Sequence, residues 1–202
     1  ISTFFLSLIF IACKNSCEEY DGEFSIQVPV NMRKYYTSKT LRNFSMYCGI
    51  RLPIKDIHDI SCISDEISRQ LKQKSSKEEM HKMLYATKKL IKGIRLIPLI
   101  IKQPIAKFIS GFLGDQAFTS TLSNIGIVNL SDEFNSYIKD VEFTLNTSVY
   151  NRGACGVATF NNITTMSISK NTVDPSFESK IYELLKQEGL DVVVEGSELY
   201  EN

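Results

Sequence analysis

The sequence predicts an α+β fold, with a mixed, mainly antiparallel sheet and helices packed on one face. Three observations predict it. Apolar residues recur at every second position in several short runs, the pattern of half-buried strands. Elsewhere they recur three and four apart, the spacing of amphipathic helices. The order of these runs is helix, strands, helices, strands, helix, and no internal repeat interrupts it. At 202 residues, 43% of them hydrophobic and 23% charged, the chain has the length and composition of one globular domain, taken as residues 1–202.

In chain order, Ser2 to Cys13 is nearly all apolar. It resembles the end of a signal peptide, and Ile9 to Cys13 loosely imitates a lipoprotein cleavage site. No basic region precedes it, however, and it is too short to span a bilayer. A buried helix from about Ser2 to Glu19 is the better reading. Asp21-Gly22 makes a turn. Phe24, Ile26, Val28, Val30 and Met32 then alternate with polar neighbours, and Pro29 argues for an edge or a bulge. A second alternating run carries Phe44, Met46, Cys48, Ile50 and Leu52.

Ser61 to Lys74 reads as a helix with Ser64 as N-cap, and Ser75-Ser76 before Glu78-Glu79 starts another. From Met80 to Gly114 there are seven basic residues and no acid. A basic amphipathic helix of this kind suits a membrane surface, an acidic carrier protein or nucleotide phosphates. The plainer reading is a helix packed on the sheet with a solvated lysine face. Arg95, Lys102, Lys107 and two prolines argue against a transmembrane span in Ile94 to Leu113.

Phe118 to Leu130 sets Thr119, Ser120, Thr121 and Ser123 among apolar residues and ends in Asn124-Ile125-Gly126. It is either an ordinary strand whose hydroxyls face water or the polar wall of a substrate tunnel, since buried hydroxyls need partners. Val141, Phe143 and Leu145 predict a further strand, and Asn161-Asn162 a two-residue hairpin turn joining the last two long ones. Asp174-Pro175 opens a final helix that Gly189 stops, and Val192 to Val194 returns to the sheet.

Lys plus Arg and Asp plus Glu both number 23, so nothing in the net charge draws the chain toward nucleic acid. The five cysteines are odd in number and have no zinc or disulfide-framework spacing, which favours buried reduced thiols and a cytoplasmic protein. No metal site is expected. His58 and His81 lie in no nucleophile signature, and phosphate-loop and dinucleotide motifs are absent.

Taken together, VPVNMRKYYTSKTLRNFSMYCGI, TSTLSNIGIV and ACGVATFNNITTMSISKN resemble the C-terminal half of bacterial alcohol-acetyltransferase-like proteins. These belong to the chloramphenicol-acetyltransferase-like superfamily, which includes condensation domains. The resemblance implies one lobe of a two-lobed sandwich, with the N-terminal lobe missing. It implies transfer of an acyl group, acetyl by preference, from a coenzyme A thioester to an alcohol or amine. The family's His-His-x-x-x-Asp-Gly motif does not occur here, so no catalytic base is expected in this chain. Acetyl-CoA or acyl-CoA is the implied co-substrate, with an acyl carrier protein as the other candidate donor. Ser123, Asn124, Thr119, Thr121 and Gly126 are the implied substrate-binding residues, Gly126 through close backbone approach. Arg33 and Asn43 are candidates for positioning the lobe or a loop. The alternative is a non-catalytic half-domain that binds an acyl ligand or partner, as a dimer if it stands alone.

Overall fold

The computed structural model describes residues 1–18, 21–95, 97–98, 100, 102–104, 118–147 and 153–196. Five strands form one sheet in the order β2-β1-β3-β4-β5. They are β1 (Glu23–Asn31), β2 (Ser45–Pro53), β3 (Ser120–Ile127), β4 (Gly153–Phe160) and β5 (Ile163–Ser169). The sheet is mixed, as expected. The β1–β2 and β4–β5 pairs are antiparallel, while β1–β3 and β3–β4 are parallel. Antiparallel pairing predominates, as expected, and the parallel pairings arise where β3 enters between two strands far from it in sequence.

One helix organises the packing. α1 (Ser2–Asn15) is apolar on all sides, and Phe5 through Cys13 are buried. Such a helix is stable only when enclosed. The sheet lies beneath it, with α2 (Ile60–Lys74) on one flank and α4 (Ser176–Gln187) on the other. Leu6, Leu8, Ile9 and Phe10 have no exposed surface, and they share the core with Ile26, Ile50, Leu122 and Val157 from the strands. The Lys14 ammonium ends α1 by donating to the Ile57 carbonyl.

β2 is an edge strand, and α2 occupies part of its free rim. The Gln70 side chain takes the Arg51 N–H on Oε1 at 3.1 Å and returns Nε2–H to the Arg51 carbonyl at 2.8 Å, as a neighbouring strand would. Lys74 Nζ donates to the Gly49 carbonyl at 2.8 Å. Edge groups satisfied in this way cannot template another strand. Pro29 sits in β1, an interior strand rather than the expected edge. It is tolerated because β1 meets β3 only at Ile26 and Gln27, so that ladder does not reach Pro29.

Four further expectations are corrected. The N-cap of α2 is Asp59, not Ser64: its Oδ1 accepts the Cys62 N–H at 2.9 Å, and the helix begins at Ile60, one residue ahead of the expected Ser61. Residues 141–147 form no strand, although Val141, Phe143, Leu145 and Thr147 are half-buried while their neighbours are exposed. The segment runs over the face of β4 instead of beside it. A Cβ built on Gly156 would lie 1.7 Å from the Phe143 carbonyl oxygen, so only glycine admits that crossing. Residues 191–196 do not return to the sheet. Finally, α3 (Lys77–Ile94) does not pack along the sheet, and Met80 is its one buried residue among those described. No helix among the described residues is long and apolar enough to cross a membrane. The Asn161-Asn162 turn, with φ of 47° and 65°, and Gly189 beyond α4, at φ 76°, are as the sequence predicts.

Gly156→Ala is expected to destabilise the fold by about 1–3 kcal/mol, the usual cost of forcing atoms into a packed contact. The denaturation midpoint should fall, and proteolysis within residues 141–147 should quicken. Asp59 supplies a pH dependence. Its hydrogen bonds from the Ser61 hydroxyl, and then from the Cys62 N–H and thiol, hold its pKa at about 2. The stabilisation is therefore complete above the ordinary carboxylate pKa near 3.8 and is lost as pH falls from there through about 2. Asp59→Asn keeps an acceptor and should remove that acid-side loss, read by helix content against pH. The same carboxylate raises the exposed Cys62 thiol pKa, so alkylation of Cys62 should also become faster in this variant.

Candidate functional site

Alternate residues of a strand point to opposite faces, and this sorts the polar residues of β3 into two groups. Ser120, Leu122 and Asn124 face the helices. Ser120 is fully buried and its hydroxyl donates to the Gly153 carbonyl at 2.5 Å. Asn124 donates from Nδ2 to the Ser2 hydroxyl of α1 at 3.2 Å and accepts the Gly126 N–H on Oδ1 at 2.8 Å. The second bond closes a bulge, because the pairing with β4 skips a residue between Asn124 and Gly126. Gly126 adopts φ +77°, which explains the glycine, and a Cβ there would meet open space. No protein atom among the described residues approaches that position closely, and the main chain there is left open to the surroundings.

Thr121 and Ser123 face away from the helices. Both are half-buried. The Thr121 hydroxyl donates to Gln27 Oε1 of β1 at 3.3 Å, while the Ser123 hydroxyl has no hydrogen-bond partner among the described residues. Thr119 stands just ahead of β3 and closes its start onto β1. Its Oγ1 accepts the Ser25 N–H at 3.2 Å and its own N–H donates to the Ser25 carbonyl at 2.7 Å. The structure therefore gathers Gln27, Thr121 and Ser123 into one row and separates Asn124 and Gly126 from it.

Close approach occurs on the strands flanking this row. Gly49 is the β2 partner of Gln27, and a Cβ there would lie 2.9 Å from the Phe118 ring. Phe118 in turn meets Tyr47 edge-on, with centroids 5.6 Å apart. Gly156 is the β4 partner of Ser123 and carries Phe143. A glycine on each side lets an aromatic residue lie against bare backbone, so the row is the floor of a trough with aromatic walls. Ser25 adds a buried Oγ with no hydrogen-bond partner among the described residues, 3.6 Å from the position a Gly49 Cβ would take. Sequence reasoning did not single out Gln27. It reads as one more polar position of an alternating strand, and only the β1–β3 pairing brings it to Thr121.

Arg33 and Asn43 lie elsewhere. The exposed Arg33 guanidinium donates from Nη2 to the carbonyls of Thr40 and Arg42 at 2.9 and 3.0 Å and stands 6.0 Å from the Phe44 ring centre. It ties down the loop between β1 and β2. Asn43 accepts the Ser45 hydroxyl at 2.7 Å.

The chemistry available here is that of neutral donors. Burial pushes the Cys48 thiol up to about 11, and burial raises Cys155 further, so neither supplies a ready thiolate. Cys13, Cys48 and Cys155 are buried, whereas Cys17 is half-buried and Cys62 exposed. His58 precedes α2, and His81 lies on α3 with Nδ1 at 2.8 Å from the Tyr36 hydroxyl. Among the described residues neither histidine bonds to the row, and no cluster of three His, Cys, Asp or Glu side chains could hold a metal ion.

No protein-family model matches the chain, and no curated protein sequence matches it. Among solved structures it is similar to the epimerization domain from the third module of tyrocidine synthetase B, with a TM-score of 0.52 and 10% sequence identity. The match covers 92% of this chain but only 40% of that one, so the chain spans less than half of the length of the domain it resembles. At this identity the likeness is one of fold: the chain has the architecture of one lobe of a condensation-type, chloramphenicol-acetyltransferase-like domain.

Proposed function

We propose that the chain is the C-terminal lobe of a two-lobed acyltransferase, transferring an acyl group, acetyl by preference, from coenzyme A to an alcohol or amine. The observation that carries this reading is the row Gln27–Thr121–Ser123 on the sheet face that the helices leave free, in a fold shared with one lobe of a larger domain. Ser123 matters most in it, because its hydroxyl is half-buried, points into the trough and has no partner among the described residues.

In this reading the catalytic base belongs to the N-terminal lobe. It takes the proton from the acceptor hydroxyl or amine, which attacks the thioester carbonyl. The tetrahedral intermediate then breaks its C–S bond, and the departing coenzyme A thiolate takes that proton. The oxygen of that carbonyl gains negative charge in the transition state, and fixed hydrogen-bond donors lower its energy. The hydroxyls of Ser123 and Thr121 are donors of that kind. Gln27 holds Thr121 in orientation by accepting its proton, leaving its own amide N–H groups to face the substrate. The aromatic residues Phe118 and Phe143 would border the acyl chain. Asn124 enters only indirectly, by keeping the bulge that ends β3 in shape.

This division of labour yields a comparison in the complete two-lobed protein. Ser123→Ala is expected to lower kcat/KM about tenfold or more, toward the cost of losing one preorganised donor, with no change in melting temperature. Asn124→Ala is expected to do the reverse. It removes two hydrogen bonds, one of them to α1, and should cost about 1–2 kcal/mol of stability while leaving turnover of the folded fraction within a few-fold. Unchanged turnover in Ser123→Ala, with normal folding, would remove Ser123 from the site. Absence of acyl transfer from acetyl-CoA in the parent protein would overturn the enzymatic reading as a whole.

A further inference from the structure

α3 is a helix that the fold uses only at its beginning. Ser76 caps it by accepting the Glu79 N–H, and Met80 inserts into the core with 1% of its surface exposed. His81 meets the Tyr36 hydroxyl and Met83 and Leu84 are half-buried, and beyond them the helix leaves the domain. Its sequence nevertheless stays amphipathic through Ile94. At 3.6 residues per turn, Met80, Met83, Leu84, Leu90, Ile91 and Ile94 fall along one side. Lys82, Lys88, Lys89, Lys92 and Arg95 fall along the other.

The apolar side continues the line that Met80 buries, yet Leu90 is 51% and Ile91 61% exposed. An uncovered aliphatic stripe of this kind marks an interaction surface. The stripe is apolar except for Thr87, whose hydroxyl is spent on the Met83 carbonyl at 2.9 Å, so it offers a folded protein partner no free polar group to specify register. The cationic side narrows the choice further. Lys82 is paired with Glu78 and Glu79, but Lys88, Lys89, Lys92 and Arg95 have no ion-pair partner among the described residues. After Glu79 the sequence carries no acid until Asp115. A continuous aliphatic stripe opposite four unpaired cations is complementary to a surface that is apolar within and negatively charged at its boundary.

We propose that residues 88–95 dock α3 on an anionic lipid surface. The helix lies in the interface with Leu90 and Ile91 among the upper acyl chains, and the long Lys stems carry their ammonium groups outward to the headgroups. Met80 and its cap fix the helix to the domain, so the docked face holds the protein in one orientation. This inference is independent of the acyltransferase reading, since it uses no residue of the trough.

The test is co-sedimentation of the intact protein with vesicles of phosphatidylcholine alone or mixed with phosphatidylserine. Binding to the mixed vesicles only, weakened by salt, is the expected result. Reversing Lys88 and Lys89 to glutamate should weaken that binding about tenfold or more. Leu90→Ser with Ile91→Ser should abolish it. These residues are exposed, so unchanged circular dichroism is expected to show that the variants still fold. No binding, equal binding to both vesicle types, or binding indifferent to both variants overturns the proposal. Two other results also overturn it. Tighter association with an acidic polypeptide than with vesicles assigns the helix to a protein partner. A dimer dispersed by Leu90→Ser and Ile91→Ser, without vesicle binding, assigns the stripe to a second copy of the chain.

Discussion

The enclosure of α1 is the constraint on which the rest of the structure depends. A helix with Phe5, Leu6, Leu8, Ile9 and Phe10 in succession has no face to show to water. Each large side chain moved from water to the interior contributes about 1.5–3 kcal/mol, so a handful rival the whole net stability of a typical domain. The sheet can cover only one side of the helix, and α2 and α4 supply the others. The strands accordingly turn Ile26, Ile50, Leu122 and Val157 toward α1. The sorting of polar residues follows from that choice, because a strand has only two faces.

The trough is a consequence of this sorting. β3 cannot place Leu122 under α1 without placing Thr121 and Ser123 on the opposite face. Asn124 goes with Leu122, where its amide serves Ser2 and the bulge. Two adjacent residues of the same string therefore differ, Asn124 being tied to α1 and the bulge while Ser123 stands on the opposite face. The two glycines flanking the row are fixed by the same geometry. Gly49 and Gly156 are the cross-strand partners of Gln27 and Ser123, and each leaves room for an aromatic residue to cross at van der Waals distance from the backbone.

Elements defined by local rules were legible in the sequence. The Asn161-Asn162 turn, the stop at Gly189, the buried opening helix and the runs that became the five strands need only neighbours along the chain to be recognised. What was not legible depends on contacts between distant segments. Period-two alternation says that a segment is extended with one side covered, and residues 141–147 satisfy it by lying across β4 rather than joining the ladder. Ser64 looked like a cap because its residue type suits one, but Asp59 reaches the first free N–H groups of α2 and ends the competition. Gln27 and Thr121 are ninety-four residues apart, and no spacing rule connects them.

α1 and α3 show why apolar pattern alone does not assign a helix to the core. Both carry a continuous apolar line, and in α1 the flanking positions are apolar too, so enclosure is the only solution. In α3 the flanking positions are lysines, and the line can be satisfied by any apolar boundary, inside the domain or outside it. Its first turn finds that boundary in the core through Met80. The second turn is half-covered at Met83 and Leu84, but Leu90 and Ile91 are exposed, and the cations from Lys88 onward have no acid to pair with among the described residues. A surface helix needs no exposed apolar line to stay dissolved. The stripe is therefore better explained by a second apolar phase that the helix meets than by the packing of this domain alone.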